Sequence, residues 1–143
     1  MPTTSDPAPL LLDTHVWLWL VAGSSELSGE IRQTIDRAVA QGTLRIAAIS
    51  LWEVALLASR GRIVLGKSIG LWLEEALADP APAIDPLNPQ IAIESHALPD
   101  GFHRDPADQL IVATARVTNA TLMTRDRRIL DYAGRGHLTA IAA

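Results

Sequence analysis

The sequence predicts an α/β fold: a three-layer α/β/α sandwich around a central, largely parallel sheet. Short apolar runs alternate along the chain with longer segments whose apolar residues recur every three or four positions. Strands that alternate with helices are typical of parallel sheets, because each crossover helix returns the chain to the start of the next strand. A length of 143 residues and a hydrophobic share of 48% suit one domain with a substantial core.

The first half of the chain is predicted to contain two strands and four helices. The run Leu10–Leu12 is short and wholly apolar, which is typical of a strand buried in a parallel sheet. Apolar residues recur at helical spacing between Ser28 and Ala40, and Gly42 then provides a stop. The predicted strands cover residues 10–12 and 44–48, and the predicted helices cover residues 15–21, 28–40, 50–59 and 68–77.

The second half is predicted to contain three more strands and three more helices. A proline-rich connection over residues 79–86 leaves room for only a brief strand. The longest predicted helix begins at Asp105, which a proline follows. The predicted strands cover residues 83–84, 121–124 and 139–142, and the predicted helices cover residues 89–98, 105–119 and 128–132. We expect residues 1–8 to form a flexible lead-in and residues 9–142 to form a single domain.

The composition excludes several classes of protein. Without cysteine, the chain has no disulfide, no iron–sulfur cluster and no thiolate zinc site. A formal net charge of −4 argues against a general nucleic-acid coat, which would be basic. The most apolar stretch, residues 10–23, contains Asp13 and His15 and is shorter than the roughly 20 residues of a membrane helix. We therefore expect a cytoplasmic protein that does not bind membranes.

Acidic side chains follow the predicted strands. Asp13 ends the first strand, Glu53 comes soon after the second, and Asp126 follows the strand over 121–124. Asp105 and Asp108 open the longest helix. In open parallel sheets, ligands bind beyond the carboxyl ends of the strands. We expect these five carboxylates to converge at that edge.

Each acid also has a purely structural interpretation as a helix cap. Ser50-Leu-Trp-Glu53 matches a capping box, in which the glutamate bonds back to the cap residue. Asp105 matches an N-cap followed by proline, and Asp126 is placed to cap the last helix. This interpretation stays open for each acid taken alone.

Two of the acids lie in strongly apolar surroundings. Glu53 is the only polar residue of the segment 51–58, which predicts a buried helix, and Asp13 lies between apolar runs. A buried carboxylate is costly without a partner, and clustered carboxylates repel one another. A divalent cation relieves both costs, and oxygen ligands suit Mg²⁺ or Mn²⁺. Such a centre performs phosphoryl chemistry, for which an RNA or DNA backbone is the natural substrate.

Four motifs appear in an order and spacing that resemble the PIN domain, and more narrowly the VapC-type toxins of bacterial toxin–antitoxin pairs. The resemblance covers residues 9–142, nearly the whole chain. The motifs are Leu10-Leu-Leu-Asp13-Thr14-His15-Val-Trp, Ser50-Leu-Trp-Glu53, His103-Arg-Asp105-Pro-Ala-Asp108 with Leu110-Ile-Val-Ala-Thr-Ala115, and Thr124-Arg-Asp126.

The resemblance implies a Mg²⁺- or Mn²⁺-dependent endoribonuclease. It matches Asp13 and Asp108 to the metal ligands of the family, and Glu53 and Asp126 to its two other catalytic acids. It also implies an RNA substrate, a homodimer and an antitoxin that inhibits the enzyme. The residues it assigns to supporting roles are Asp105, Ser50 and Thr124.

Residues outside the acid positions are candidates for binding RNA or the antitoxin. Arginines near the acids are candidates to bind RNA phosphates: Arg104, Arg125 and Arg127. Trp17, Trp19 and Leu20 are candidates for an antitoxin groove across the first helices, although burial in the core explains them equally well. Gln109 stands where the family more often has arginine.

Three other interpretations compete with the nuclease. A receiver-type or phosphatase domain would use Asp13 as a phospho-acceptor. A receiver, however, needs a late lysine, and Lys67 is the only lysine; a haloacid-dehalogenase-type phosphatase needs a second aspartate where His15 stands. A second alternative is a domain that binds RNA or a protein partner without cutting, in which case we would expect some of the acids to be missing. The last alternative, acids that only cap helices, requires four separate coincidences.

Overall fold

The computed structural model describes residues 7–143, and these contain a five-stranded parallel sheet with helices on both sides. Most of the predicted lead-in over residues 1–8 lies outside the described residues. The elements in chain order are β1 (Leu10–Leu12), α1 (Thr14–Ala22), α2 (Gly29–Gln41), β2 (Leu44–Ala47), α3 (Ala48–Ser59), α4 (Ile69–Ala76), β3 (Ala83–Asp85), α5 (Pro89–Ser95), α6 (Pro106–Thr118), β4 (Thr121–Thr124), α7 (Arg127–Gly134) and β5 (Thr139–Ala142).

The sheet has the strand order β3-β2-β1-β4-β5, so its first strand is central. Leu10 of β1 pairs with Leu44 of β2 on one side and with Thr121 of β4 on the other. The chain builds the sheet outward from β1 in one direction and later returns to build it in the other direction. The point where the order reverses lies between β1 and β4, and it is at such a point that open α/β sheets bind ligands.

Two apolar cores lie on opposite faces of the sheet. Successive side chains of a strand point to opposite faces, so Leu12 packs in one core and its neighbour Leu11 packs in the other. Trp17 and Trp72 fill the first core with their ring centroids 5.1 Å apart, and Tyr132 is a large buried side chain of the second. The predicted three-layer α/β/α architecture is confirmed.

Every predicted strand and helix is present, with shifts at a few ends. Helix α3 begins at Ala48 rather than at residue 50, because β2 continues into it without a loop. Helix α5 ends at Ser95, three residues before the predicted end. None of the helices in residues 7–143 has the length and apolarity needed to span a membrane.

The prediction that α3 is buried on all sides is wrong. Only Ser50 and Val54 of this helix are buried, and Trp52 is 55% exposed. The helix has apolar residues on its outer side although the described chain does not cover that side.

Replacing Leu122 by alanine should lower the free energy of unfolding by about 3 kcal/mol, because Leu122 is fully buried in β4 and its loss leaves a cavity. The matched control is Leu87→Ala, at a position that is 58% exposed, where the change should be small. Urea denaturation followed by circular dichroism measures both. Equal losses in the two variants would contradict the assigned burial.

Candidate active site

The five predicted acids meet in one cavity at the carboxyl edge of the sheet. The cavity has a volume of about 430 Å³. It lies beyond the ends of β1 and β4, where the strand order reverses. The acids that line it are Asp13, Glu53, Asp105, Asp108 and Asp126. The convergence that the strand-end positions predict is therefore present in the structure.

Asp13 is the most buried of these acids, with 8% of its surface exposed. Its Oδ1 accepts a 2.8 Å hydrogen bond from the Thr14 amide at the start of α1, and its Oδ2 accepts a 2.6 Å bond from the Thr124 hydroxyl. Its own amide donates to the carbonyl of Met123 across the sheet. Burial raises the pKa of Asp13, and the two hydrogen bonds oppose that rise. The carboxylate is thus held in one orientation.

Thr14 connects the first acid motif to the second. Its hydroxyl lies 2.8 Å from the hydroxyl of Ser50, and both side chains are fully buried. Thr14 also acts on Glu53, where it lowers a pKa that burial otherwise raises. The Glu53 carboxyl is therefore close to the residue whose amide donates to Asp13.

The capping-box interpretation of Ser50 and Glu53 is wrong. The residue that precedes α3 is Ala47, which makes no side-chain cap bond, and Ser50 lies within the first turn of the helix with its hydroxyl facing Thr14. The early start of α3 is the physical reason, since it moves Ser50 from the cap position to the buried side of the helix.

Asp105 and Asp108 come from the first turn of α6. Asp105 caps the helix by accepting a 3.1 Å hydrogen bond from the Asp108 amide, as its Asp-Pro sequence predicts. Burial raises the pKa of Asp108 to about 8, and the negative charges of the four other acids add to the rise. The Nε2 of His103 lies 3.2 Å from Oδ2 of Asp108.

Thr124 joins the first and last acids. Its hydroxyl donates to Asp13 and accepts a 3.0 Å hydrogen bond from the Asp126 amide. Oδ1 of Asp126 caps α7 by accepting from the amides of Arg128 and Ile129. Asp126 therefore caps a helix and also lines the cavity, so the two interpretations offered for it are compatible.

The candidate arginines, unlike the acids, do not all line the cavity. Of the three arginine candidates, only Arg125 lines the cavity, while Arg104 and Arg127 are exposed outside it. Arg125 forms a 2.5 Å ion pair with Glu26 and stacks over Trp19 at 4.3 Å.

Sequence reasoning missed Arg62 as a cavity residue. This residue lies outside the acidic motifs, in the turn that follows the helix of Glu53, and the fold brings it to the cavity. Gln109, at the position that departs from the family pattern, donates to the carbonyl of His103 and so steadies the loop before α6.

The donors around the cavity suit a hard divalent cation. Within residues 7–143, no three His, Cys, Asp or Glu side chains are arranged to hold an ion by themselves. Mg²⁺ is usually held by one or two carboxylates and completes its shell with water, a requirement that Asp13 and Asp108 can meet. The other acids repel the negative charge of Asp108 and so help to raise its pKa, and a bound cation would relieve this repulsion.

The PIN domain model matches residues 10–135 of this chain. The chain belongs to the PIN-domain family. It is 40% identical over 123 residues to Ribonuclease VapC22 of Mycobacterium tuberculosis, covering 86% of this chain and 91% of that protein.

Solved PIN-like structures share the fold. VapBC2 from Rickettsia felis, bound to a DNA fragment from their promoter, matches with a TM-score of 0.68 and 17% identity, covering 93% of this chain and 97% of that chain. DNA-bound VapBC from Salmonella typhimurium matches with a TM-score of 0.69 and 17% identity, covering 95% and 98%. A toxin–antitoxin complex from Klebsiella pneumoniae matches with a TM-score of 0.62 and 23% identity, covering 91% and 95%.

Asp108→Asn should stabilise the metal-free protein by up to about 5 kcal/mol at pH 8, since the pKa of Asp108 rises from 3.8 to about 8 and one pKa unit corresponds to about 1.4 kcal/mol. Because the pKa of Asp108 is raised in the folded state from its ordinary 3.8 to about 8, the folded protein loses stability as pH rises through that interval. The variant lacks this loss, so its advantage should be larger at pH 8 than at pH 5.

Urea denaturation in EDTA at both pH values measures the effect. The control is Asp36→Asn, at an exposed position on α2, which should show no such pH dependence. A gain in stability that is the same at pH 5 and pH 8 would contradict the raised pKa assigned to Asp108.

Proposed function

We propose that this chain is a Mg²⁺- or Mn²⁺-dependent endoribonuclease that acts as the toxin of a toxin–antitoxin pair. The observation that carries the proposal is the meeting of five carboxylates at the switch point of a PIN-domain sheet. The relative from Mycobacterium tuberculosis, named as a ribonuclease, supports RNA as the substrate. Residues 9–142 act as one domain, because strands from Leu10–Leu12 to Thr139–Ala142 share one sheet.

Asp13 and Asp108 are the residues that would hold the ion. When bound, the ion supplies a polarising charge that activates water and neutralises the phosphate. Thr14 and Thr124 fix the orientation of Asp13, so this ligand needs no rearrangement to bind. Asp126 also lines the cavity, and only its Oδ1 takes part in the cap of α7.

Glu53 is the residue that we assign to the attacking water. Glu53 lies close to Thr14 at the cavity, and burial raises the pKa of its carboxyl, which makes the carboxylate a better proton acceptor. Water attacks phosphorus in line, one of its protons passes to Glu53, and the bond from phosphorus to the 3′ oxygen breaks. The 3′ oxygen takes up a proton, so the products carry a 5′-phosphate and a 3′-hydroxyl. Cellular RNA is the substrate, so the cytoplasm is the compartment where we expect this activity.

An apolar groove next to the acid cavity is our candidate site for the antitoxin. Its volume is about 660 Å³, and it runs between α1 and the connection before α4. Val64 on its wall is 93% exposed, and Trp19 lines both this groove and the acid cavity. A protein segment bound here would lie beside the carboxylates. The solved toxin–antitoxin complex with the same fold supports a partner of this kind.

Two of the residues that the sequence suggested for this groove belong elsewhere. Trp17 is fully buried against Trp72 and is part of the core. Leu20 is partly buried and packs against the same core. Trp19 alone of the three lines the groove.

A second apolar surface is our candidate for the homodimer contact. Its residues belong to α3, the edge strand β3, the loop after β3, and α5, and none of them lines the antitoxin groove. Its exposed members are Trp52, Ile84, Leu87 and Ile93. Exposed apolar patches rimmed by polar residues are typical of protein interfaces. Two separate surfaces allow a dimer and an antitoxin to bind at the same time.

Asp13→Asn should reduce RNA cleavage by at least about 100-fold, because loss of a metal ligand removes several kcal/mol of transition-state stabilisation. Cleavage of a pool of structured RNAs with Mg²⁺, Mn²⁺ or EDTA measures the effect. Asp131→Asn, at an exposed position on α7, is the control and should cut normally. If the folded, antitoxin-free wild type cuts no RNA with either metal, the nuclease proposal is wrong.

Aspartate substitutions should distinguish the partners assigned to the two apolar surfaces. Val64→Asp should weaken antitoxin binding and leave the dimer intact, whereas Ile93→Asp, at a 69% exposed position, should shift the dimer toward monomer. Sedimentation velocity measures the dimer, and co-purification with the co-expressed antitoxin measures the complex. The assignment of the surfaces fails if the two variants show the same pattern.

A further inference from the structure

We propose that Arg62 binds an RNA phosphate on the wall of the acid cavity, next to the phosphate that is cleaved. The inference rests on the proposed function and adds a residue that positions the substrate. Arg62 lies outside every acidic motif of the sequence, and its place in the cavity is a property of the fold.

The backbone of Arg62 is fixed by the end of α3. The Gly61 amide donates to the carbonyl of Ala58, and the Arg62 amide donates to the carbonyl of Leu57. This pair of bonds is a Schellman motif, and it requires the left-handed conformation that Gly61 adopts at φ +66°. The side chain of Arg62 therefore leaves a rigid point of the chain, adjacent to Leu57, which also lines the cavity.

The charge of Arg62 is not used by the protein. In the part of the chain that the structure describes, Arg62 forms no ion pair, whereas Arg45, Arg116 and Arg125 each pair with an acid at 2.5–2.8 Å. Arg62 is also not among the main causes of the pKa shifts of the acids. Arg62 is exposed and lines the cavity.

A negatively charged substrate needs such a group. Each nucleotide of RNA has one negative charge, and the floor of the cavity is lined with carboxylates, so the strand is repelled where it must bind. Arginine offers a planar fork that donates two hydrogen bonds to one phosphate. Arg125, the other arginine of the cavity, is held by Glu26 and Trp19. Arg62 is the arginine that can turn toward the strand.

RNA binding by cleavage-deficient protein tests the proposal. In an Asp13→Asn background, a fluorescein-labelled single-stranded RNA is titrated at several salt concentrations and followed by fluorescence anisotropy. Arg62→Ala should weaken binding by about 5-fold or more and lower the salt slope by about 0.7, the value for one phosphate contact on a single strand. Arg60→Ala is the matched control, because Arg60 lies in the same turn but does not line the cavity. Arg62→Lys should restore part of the affinity, since it keeps the charge and loses the fork.

In the active protein, Arg62→Ala should raise KM and leave kcat nearly unchanged. If Arg62→Ala binds RNA with the affinity and salt slope of the parent, or behaves like Arg60→Ala, the proposal is overturned; so is it if the parent protein binds no RNA. If RNA binds through Arg62 but is never cut, the nuclease proposal fails while the assignment of Arg62 stands. If RNA is cut and KM does not respond to Arg62→Ala, the nuclease stands and Arg62 is wrongly assigned.

Discussion

The hydrogen bond from the Thr124 hydroxyl to Asp13 is the interaction on which the site depends. It joins the ends of β1 and β4, the two strands between which the sheet order reverses. The same hydroxyl accepts from the Asp126 amide, so one buried side chain orients two acids. A buried carboxylate needs such partners, because burial without them costs several kcal/mol and favours the neutral form. The sheet and the acid cavity thus share one connection.

Helix capping and the acid cavity have a common geometric cause. In this fold a strand end is followed within a few residues by a helix start, so the residue between them is both at the sheet edge and at an N-cap. Asp13 and Asp126 each occupy such a position, and Asp105 occupies the cap of α6. A carboxylate has two oxygens, and a cap uses one of them. Asp105 and Asp126 cap with Oδ1 alone, whereas the second oxygen of Asp13 accepts from Thr124.

The sequence was sufficient to predict the parts of the fold that depend on local pattern. Apolar runs and helical spacing predict every strand and helix, and the rule on strand ends predicts that the five acids converge. Prediction from the sequence failed where tertiary packing determines the position or exposure of a residue. The register of Ser50 depends on how β2 continues into α3, and a capping-box pattern cannot show that. The exposure of Trp52 depends on which elements cover α3, and apolarity alone predicts only burial. Arg62 belongs to no acidic motif, so the motifs did not place it at the cavity, whereas Arg104 and Arg127 are next to acids in the sequence and lie outside the cavity.

The order of the strands has a consequence for protein synthesis. Asp13 and Thr124 are 111 residues apart in the chain, and Asp105, Asp108 and Asp126 all follow β3. Contacts between such distant residues form late and slowly in folding. A nascent chain that ends before β4 has a first acid without its hydroxyl partner and a central strand with one side unpaired. The acid site is therefore complete only once β4 has been synthesised and has paired with β1.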